Sequence, residues 1–241
     1  MDEERVILSC VPIHILNDKM QPISIGTGCI FEENDCDYIF TVFHVANINN
    51  GIFSILYEYV PEKGPMYLQI KGGRFNYIKT INLKNGVSEN LEFAYAEIPK
   101  LNYYYQELSY PDTIKKSLLR KKYKFNNINV PRKNIDYAFC GHIKPTIIGN
   151  YAFETINMCH FDYRFKETKD WYHLFETPVK HPGHEYYKGC SGAPVIDNDE
   201  NLVSLIVRGD ISTNEIYGID LKRILSIIIG EIDLNKQGHS T

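Results

Sequence analysis

From Arg5 to Gly209 the sequence breaks into short apolar runs separated by turn chemistry, and that rhythm limits the fold more than any other feature. "RVILSCVPIHIL" gives way to "DKMQP", then come "ISIGTGCIFEE", "NDCD", "YIFTVFHVA" and "NINNG". Further on stand "NYIKTINLK", "LEFAYAEI", "NIDYAFCGHI", "TIIGNYAFETI", "GAPVIDN" and "NLVSLIVRG". Most are rich in Ile, Val, Tyr, Phe and Thr, the residues that suit a pleated, half-buried surface, so they predict many antiparallel strands. Helical periodicity is clear only near the C-terminus. There Asp220 can cap a helix in which Leu221, Ile224, Leu225 and Ile228 share one face. The expected fold class is all-β, closed by one terminal helix.

A chain of 241 residues can make one large β unit or two packed half-size units. Its 44% hydrophobic content supports a substantial core, and a net charge of −4 gives no nucleic-acid signature. No apolar run approaches the roughly 20 residues of a membrane span. The N-terminus opens acidic, without the basic start and long apolar stretch of an export signal, so a cytoplasmic location is expected. The six cysteines are scattered and form no CxxC pair, which favours free thiols in a reducing compartment. Cys159, His160, His173, His181 and His184 do not match a metal-ligand spacing, and neither metal nor cofactor is expected. Residues 114–133 carry Lys115, Lys116, Arg120, Lys121, Lys122, Lys124, Arg132 and Lys133 and no acid. That stretch reads either as a dock for RNA or an acidic protein, or as a solvated linker or helix face.

The stretch "YKGCSGAPVID" places Gly189 and Gly192 around Cys190 and Ser191. A glycine-permitted turn can aim the Ser191 hydroxyl outward and point the N–H groups of Gly189 and Ser191 into one hollow, as acyl chemistry requires. The same letters also suit an ordinary turn before a strand. A base is available in "YIFTVFHVAN", where a hairpin would deliver His44 to a strand end. A histidine among Phe43 and Val45 can equally be a core residue.

"GTGCIF" followed by "TVFHVA", and much later "GCSGAPVID", resembles the chymotrypsin/trypsin-like serine peptidases, most closely their intracellular or bacterial-type branch. "NIDYAFCGHIKP", "NLVSLIVRGD" and "YGIDLKRILSIII" resemble the strand that opens their second barrel, their groove strand, and their closing strand and helix. The resemblance implies two six-stranded antiparallel Greek-key β-barrels with a C-terminal helix. Residues 1–100 would form the first barrel, carrying His44 and Glu92, and 101–130 a basic connection. Residues 131–229 would form the second barrel and closing helix, carrying Ser191, and 230–241 a tail.

The resemblance also implies the roles: His44 as base, Ser191 as nucleophile, and the N–H groups of Gly189 and Ser191 as oxyanion hole. The third member of the triad is an aspartate in that family, at the head of a strand that here reads "LEFAYAEI". The position falls on Glu92, one methylene longer; Glu89 and Glu97 miss the register, and Glu92 could be a mere surface acid. Cys190 occupies the variable slot before the serine, and Cys29 lacks the half-cystine partner that secreted members keep where Val45 stands here.

Counting back six residues from Ser191 reaches Glu185, which resembles the pocket acid that selects Lys or Arg. His181 and His184, in the same loop, could instead read acidic or amide side chains. Val207, Arg208 and Gly209 would pair with the substrate backbone by strand addition. The expected activity is that of a trypsin-like endopeptidase acting on a peptide or protein, with a regulatory protein partner as a further expectation. An inactive peptidase-fold module that binds a peptide or protein is the alternative, and an interaction platform on residues 114–133 a third.

Overall fold

The computed structural model describes residues 1–71, 75–81, 86–109, 113–148 and 152–238. A short helix, α1 (Glu3–Ser9), is capped by Asp2, whose side chain accepts from the Glu4 N–H at 3.2 Å. Seven strands follow: β1 (Val11–Leu16), β2 (Pro22–Glu33), β3 (Cys36–Thr41), β4 (Ile52–Val60), β5 (Gly64–Lys71), β6 (Asn76–Ile81) and β7 (Ser88–Ile98). They hydrogen-bond in the order β5-β4-β1-β2-β3-β7-β6. Among the described residues, this half of the chain carries seven strands along one hydrogen-bonded path, where the resemblance implied a six-stranded barrel.

The second half meets the expectation directly. β11 (Asp136–Ile148), β12 (Ala152–Lys169), β13 (Tyr172–Glu176), β14 (Pro194–Asp197), β15 (Leu202–Asp210) and β16 (Glu215–Asp220) close a six-stranded barrel in the order β11-β12-β13-β16-β15-β14. Its interior holds Tyr137, Phe139, Tyr163, Phe175, Val195, Val203 and Ile216, all buried. The final helix, α3 (Leu221–Gly238), starts where the sequence predicts, with the Arg223 N–H donating to Asp220 Oδ1 at 3.1 Å. Leu221, Ile224, Leu225 and Ile228 are fully buried on one face. The helix runs past residue 230, where a tail was expected, because nothing in "IGEIDLNKQG" stops it before Gly238.

The linking segment also departs from expectation. β8 (Tyr104–Ser109) and β9 (Thr113–Leu119) pair as an antiparallel hairpin, and β10 (Lys122–Tyr123) adds a two-residue parallel pairing to β2. The hairpin is hard to see in the sequence because β9 is mostly solvated, so no apolar alternation marks it. Its cations are met within the chain: Lys115 by Glu107 (2.8 Å), Lys121 by Glu200 (3.0 Å), Lys122 by Asp37 (2.5 Å), Lys124 by Glu32 (3.4 Å), and Lys116 by Glu4. Arg120 is buried and donates to the Ile7 and Cys10 carbonyls. Lys116, Lys121, Lys122 and Lys124 thus tie this segment to acids far away in sequence, whereas Lys115 pairs within its own hairpin.

Candidate active site

β3 ends at Thr41, and the next residues close a single helical turn, α2 (Phe43–Ala46), with the Ala46 N–H donating to the Val42 carbonyl at 3.2 Å. Val42, Val45 and Ala46 are buried, so the turn is anchored and His44 faces outward, its side chain 45% exposed. The catalytic candidate lies just beyond the strand, on a helical turn, and not at the strand end itself. β7 pairs with β3, Thr41 standing opposite Ala94. Two residues before Ala94, Glu92 reaches α2. His44 Nδ1 lies 2.9 Å from Glu92 Oε2, and the His44 backbone N–H donates to the same oxygen at 3.4 Å. A carboxylate can only accept, so Nδ1 carries a proton towards Glu92, which leaves Nε2 as the nitrogen that can exchange a proton with Ser191. Glu89 and Glu97 point elsewhere: both are exposed, opposite Thr80 and Tyr38.

Partial burial tends to raise the proton affinity of Glu92. The hydrogen bonds and charge of His44 outweigh it, helped by the charge of Arg208, and hold the carboxyl below its ordinary value.

The serine turn explains its two glycines. Gly189 has φ +103° and Gly192 φ +85°, a region that glycine enters without strain. Space demands glycine too. A Cβ on Gly189 would run into the His142 carbonyl oxygen, and one on Gly192 into the Thr27 carbonyl oxygen and the Thr41 hydroxyl. Within the turn the Cys190 N–H donates to Tyr187 (2.9 Å), that of Gly192 to Ile206 (2.7 Å) and that of Ala193 to Cys190 (2.9 Å). Among the described residues, the N–H groups of Gly189 and Ser191 make no hydrogen bond. The alternation leaves the two expected oxyanion donors uncommitted.

The Ser191 carbonyl accepts from the Thr27 N–H at 2.9 Å, which docks the turn onto β2. Among the described residues no hydrogen bond joins the Ser191 hydroxyl to His44; such contacts often tighten only when substrate binds. Cys190 is fully buried with its sulfur beside Gly141, and burial pushes its thiol up, away from thiolate chemistry. Cys190 is a packing residue.

Glu185 does not form a pocket floor. It lies on a short 3-10 turn (His184–Tyr187), its side chain 83% exposed and 3.7 Å from Lys188 Nζ. A one-turn element on the surface turns its acid to water, whatever its spacing from Ser191. His181 is the buried member of that loop: its N–H donates to Asn214 Oδ1 at 2.5 Å and its Nδ1 accepts from Gly183 at 3.1 Å. Its Nε2 lies against Gly209, where a Cβ would not fit. The His184 side chain lies outside the described residues.

Val207, Arg208 and Gly209 lie on β15, with a bulge at Val207 in its pairing to β16. β14 pairs with β15 only as far as Leu205, so the far edge of 207–209 is unpaired among the described residues. Arg208 is exposed there, its guanidinium 4.6 Å from the Tyr217 ring centre. Sequence reasoning gave no role to Thr27 or Thr41, whose signal was only the glycine flanks in "GTGCIF" and the approach to His44.

The sequence matches no protein-family model and no curated protein. Among solved structures, the chain is similar to a serine endoprotease from Yersinia pestis, with a TM-score of 0.52 at 12% identity over 94% of this chain. It spans 64% of that endoprotease's length. It is also similar to the MamO protease domain from Magnetospirillum magneticum, with a TM-score of 0.50 at 10% identity, covering 92% of this chain and 96% of that one. At this identity the likeness speaks for the backbone alone: the chain has the chymotrypsin-like protease fold, mostly β, with a closed six-stranded barrel and a C-terminal helix.

Proposed function

We propose that the chain is a serine endopeptidase. His44 Nε2 takes the proton from the Ser191 hydroxyl as its oxygen attacks the scissile carbonyl. The N–H groups of Gly189 and Ser191 receive the oxyanion, and Glu92 fixes the imidazole and stabilises its charged form. The imidazolium then protonates the leaving amine, and water, activated by the same histidine, releases the acyl group from Ser191. Substrate would lie as an extended strand against Val207–Gly209. Preorganised donors of this kind carry roughly 2.7–4 kcal/mol each of transition-state stabilisation.

The 2.9 Å contact between His44 Nδ1 and Glu92 Oε2 carries the reading. A glutamate in the aspartate's place has to reach the imidazole, and this one does. A fluorophosphonate probe tests the reading. The wild type should be labelled, and Ser191→Ala and His44→Ala should not; an unlabelled wild type overturns it.

The glutamate that stands in the family's aspartate position supports a second reading, a binding module on the same fold that has lost turnover. Peptide binding without labelling would be its mark.

A further inference from the structure

We propose that Thr27 is a positioning residue for the oxyanion hole, holding the peptide plane that joins its two donors. The inference rests on the peptidase reading and extends it to a residue of the other half of the molecule.

Thr27 is completely buried on β2 and contacts the serine turn with each of its polar groups. Its hydroxyl donates to the Gly189 carbonyl at 2.7 Å and lies 3.4 Å from the His142 N–H, which donates to it. Its N–H donates to the Ser191 carbonyl at 2.9 Å. Its own carbonyl accepts from the Thr41 hydroxyl at 2.8 Å and occupies the space that a side chain on Gly192 would need.

The Gly189 carbonyl and the Cys190 N–H belong to one planar peptide unit. Thr27 holds the oxygen end, and the Tyr187 carbonyl, 2.9 Å from the Cys190 nitrogen, holds the other. The Gly189 N–H lies across one α-carbon on one side of this plane, and the Ser191 N–H across one α-carbon on the other. Gly189 is at φ +103° and has no side chain to resist rotation. An untethered plane could therefore turn and carry either donor away from the hollow. The hydroxyl of Thr27 supplies the restraint that the glycine gives up. A hydroxyl is needed because the buried Gly189 carbonyl requires a donor and the His142 N–H an acceptor, and one O–H serves both.

The test compares Thr27→Val, which keeps the shape and removes the hydroxyl, with Thr27→Ser, which keeps the hydroxyl. The first readout is the rate of fluorophosphonate labelling. Removing an oxyanion donor outright costs on the order of 10²–10³-fold, and loosening both donors should slow labelling by about 10–100-fold in Thr27→Val. Thr27→Ser should recover most of the rate, which a loss of packing alone would not explain. If Ser191→Ala abolishes labelling and Thr27→Val reacts like the wild type, the tether is wrong and the peptidase reading stands.

The second readout does not need chemistry. In amide NMR spectra the Gly189 and Ser191 cross-peaks should broaden or split in Thr27→Val and stay single in Thr27→Ser. Unchanged single peaks in Thr27→Val overturn the inference even if the wild type proves unreactive, an outcome that on its own sinks only the peptidase reading. Should Thr27→Val not fold, Thr27→Ala provides the same hydroxyl-free comparison.

Discussion

The two halves of the molecule place their candidate groups by opposite means. In the N-terminal half, a ladder register sets Glu92 two residues from the partner of Thr41, and a side-chain hydrogen bond to His44 completes the pair. The backbone there is ordinary and the chemistry resides in side chains. In the C-terminal half, the useful groups are backbone N–H donors, and their placement depends on two glycines at positive φ inside a turn walled by Thr27, Thr41 and His142. One half should tolerate backbone adjustment and be sensitive to charge. The other should be sensitive to a single added methyl.

Gly192→Ala attacks the second half and should have the largest effect on stability. It adds left-handed strain of about 1–2 kcal/mol to overpacking of about 1–3 kcal/mol, because the methyl would press on a backbone oxygen that cannot rotate away. Thermal denaturation should show a loss of about 2–5 kcal/mol, at roughly 2–4 °C per kcal/mol for a chain of this size. A melting temperature like that of the wild type would mean that the turn is free to rearrange, and the contrast between the halves would vanish.

Glu92→Gln attacks the first half and should leave the fold within about 1 kcal/mol of the wild type. An amide can offer its NH2 to Nδ1, which moves the ring proton to Nε2 and removes the lone pair that Ser191 needs. Fluorophosphonate labelling should fall by up to about 10⁴-fold, the scale of the corresponding loss in the Ser-His-Asp template. Labelling at the wild-type rate would reduce Glu92 to a surface acid beside an independent histidine.

These contrasts also mark what the sequence could and could not disclose. Glu92 was legible only through the resemblance, whose register of an acid two residues before an alanine falls on it in "LEFAYAEI"; the strand itself does not alternate, since Phe93 to Ala96 are all buried. The strands β11, β14 and β15 of the second barrel were legible as apolar runs bounded by turns, and the barrel itself through the resemblance. Thr27 was not, because a buried hydroxyl owes its role to a carbonyl and an N–H more than a hundred residues away, and no local period records them. The hairpin of β8 and β9 was missed because β9 is mostly solvated and carries no apolar period. Glu185 misled because counting along the chain presumes the shape of the loop, and a single 3-10 turn redirects the acid to water.

The proton affinity of Glu92 gives a smaller effect. Its carboxyl is held below the ordinary value, so around that value the folded chain binds fewer protons than the unfolded one. The pairing contributes stability that is fully present above about pH 4.3 and is lost as the pH falls through the lower folded value. For a half-exposed pair the contribution is below about 1 kcal/mol. Melting temperatures of the wild type and Glu92→Gln should draw together as the pH is lowered from 7 towards 3. A gap that widens on acidification would contradict the direction of the shift and with it the ionised pair.

The smallest effect is expected at Glu185, and it separates the turn from the loop before it within the same half. Its carboxylate is 83% exposed and 3.7 Å from Lys188 Nζ, and such a surface pair contributes about 0–1 kcal/mol. Glu185→Gln should leave labelling by a neutral fluorophosphonate within about twofold of the wild type, because water already screens the charge. The informative comparison adds a peptidyl phosphonate with a lysine or arginine side chain at the position that enters the pocket. A surface acid should leave the ratio of the two labelling rates unchanged. An acid that swings inward on binding would make a charge-assisted hydrogen bond to that side chain, and its removal would slow the basic probe alone by about tenfold or more. That result would return Glu185 to the pocket and show that the loop, unlike the glycine turn beside it, takes its working shape only with substrate in place.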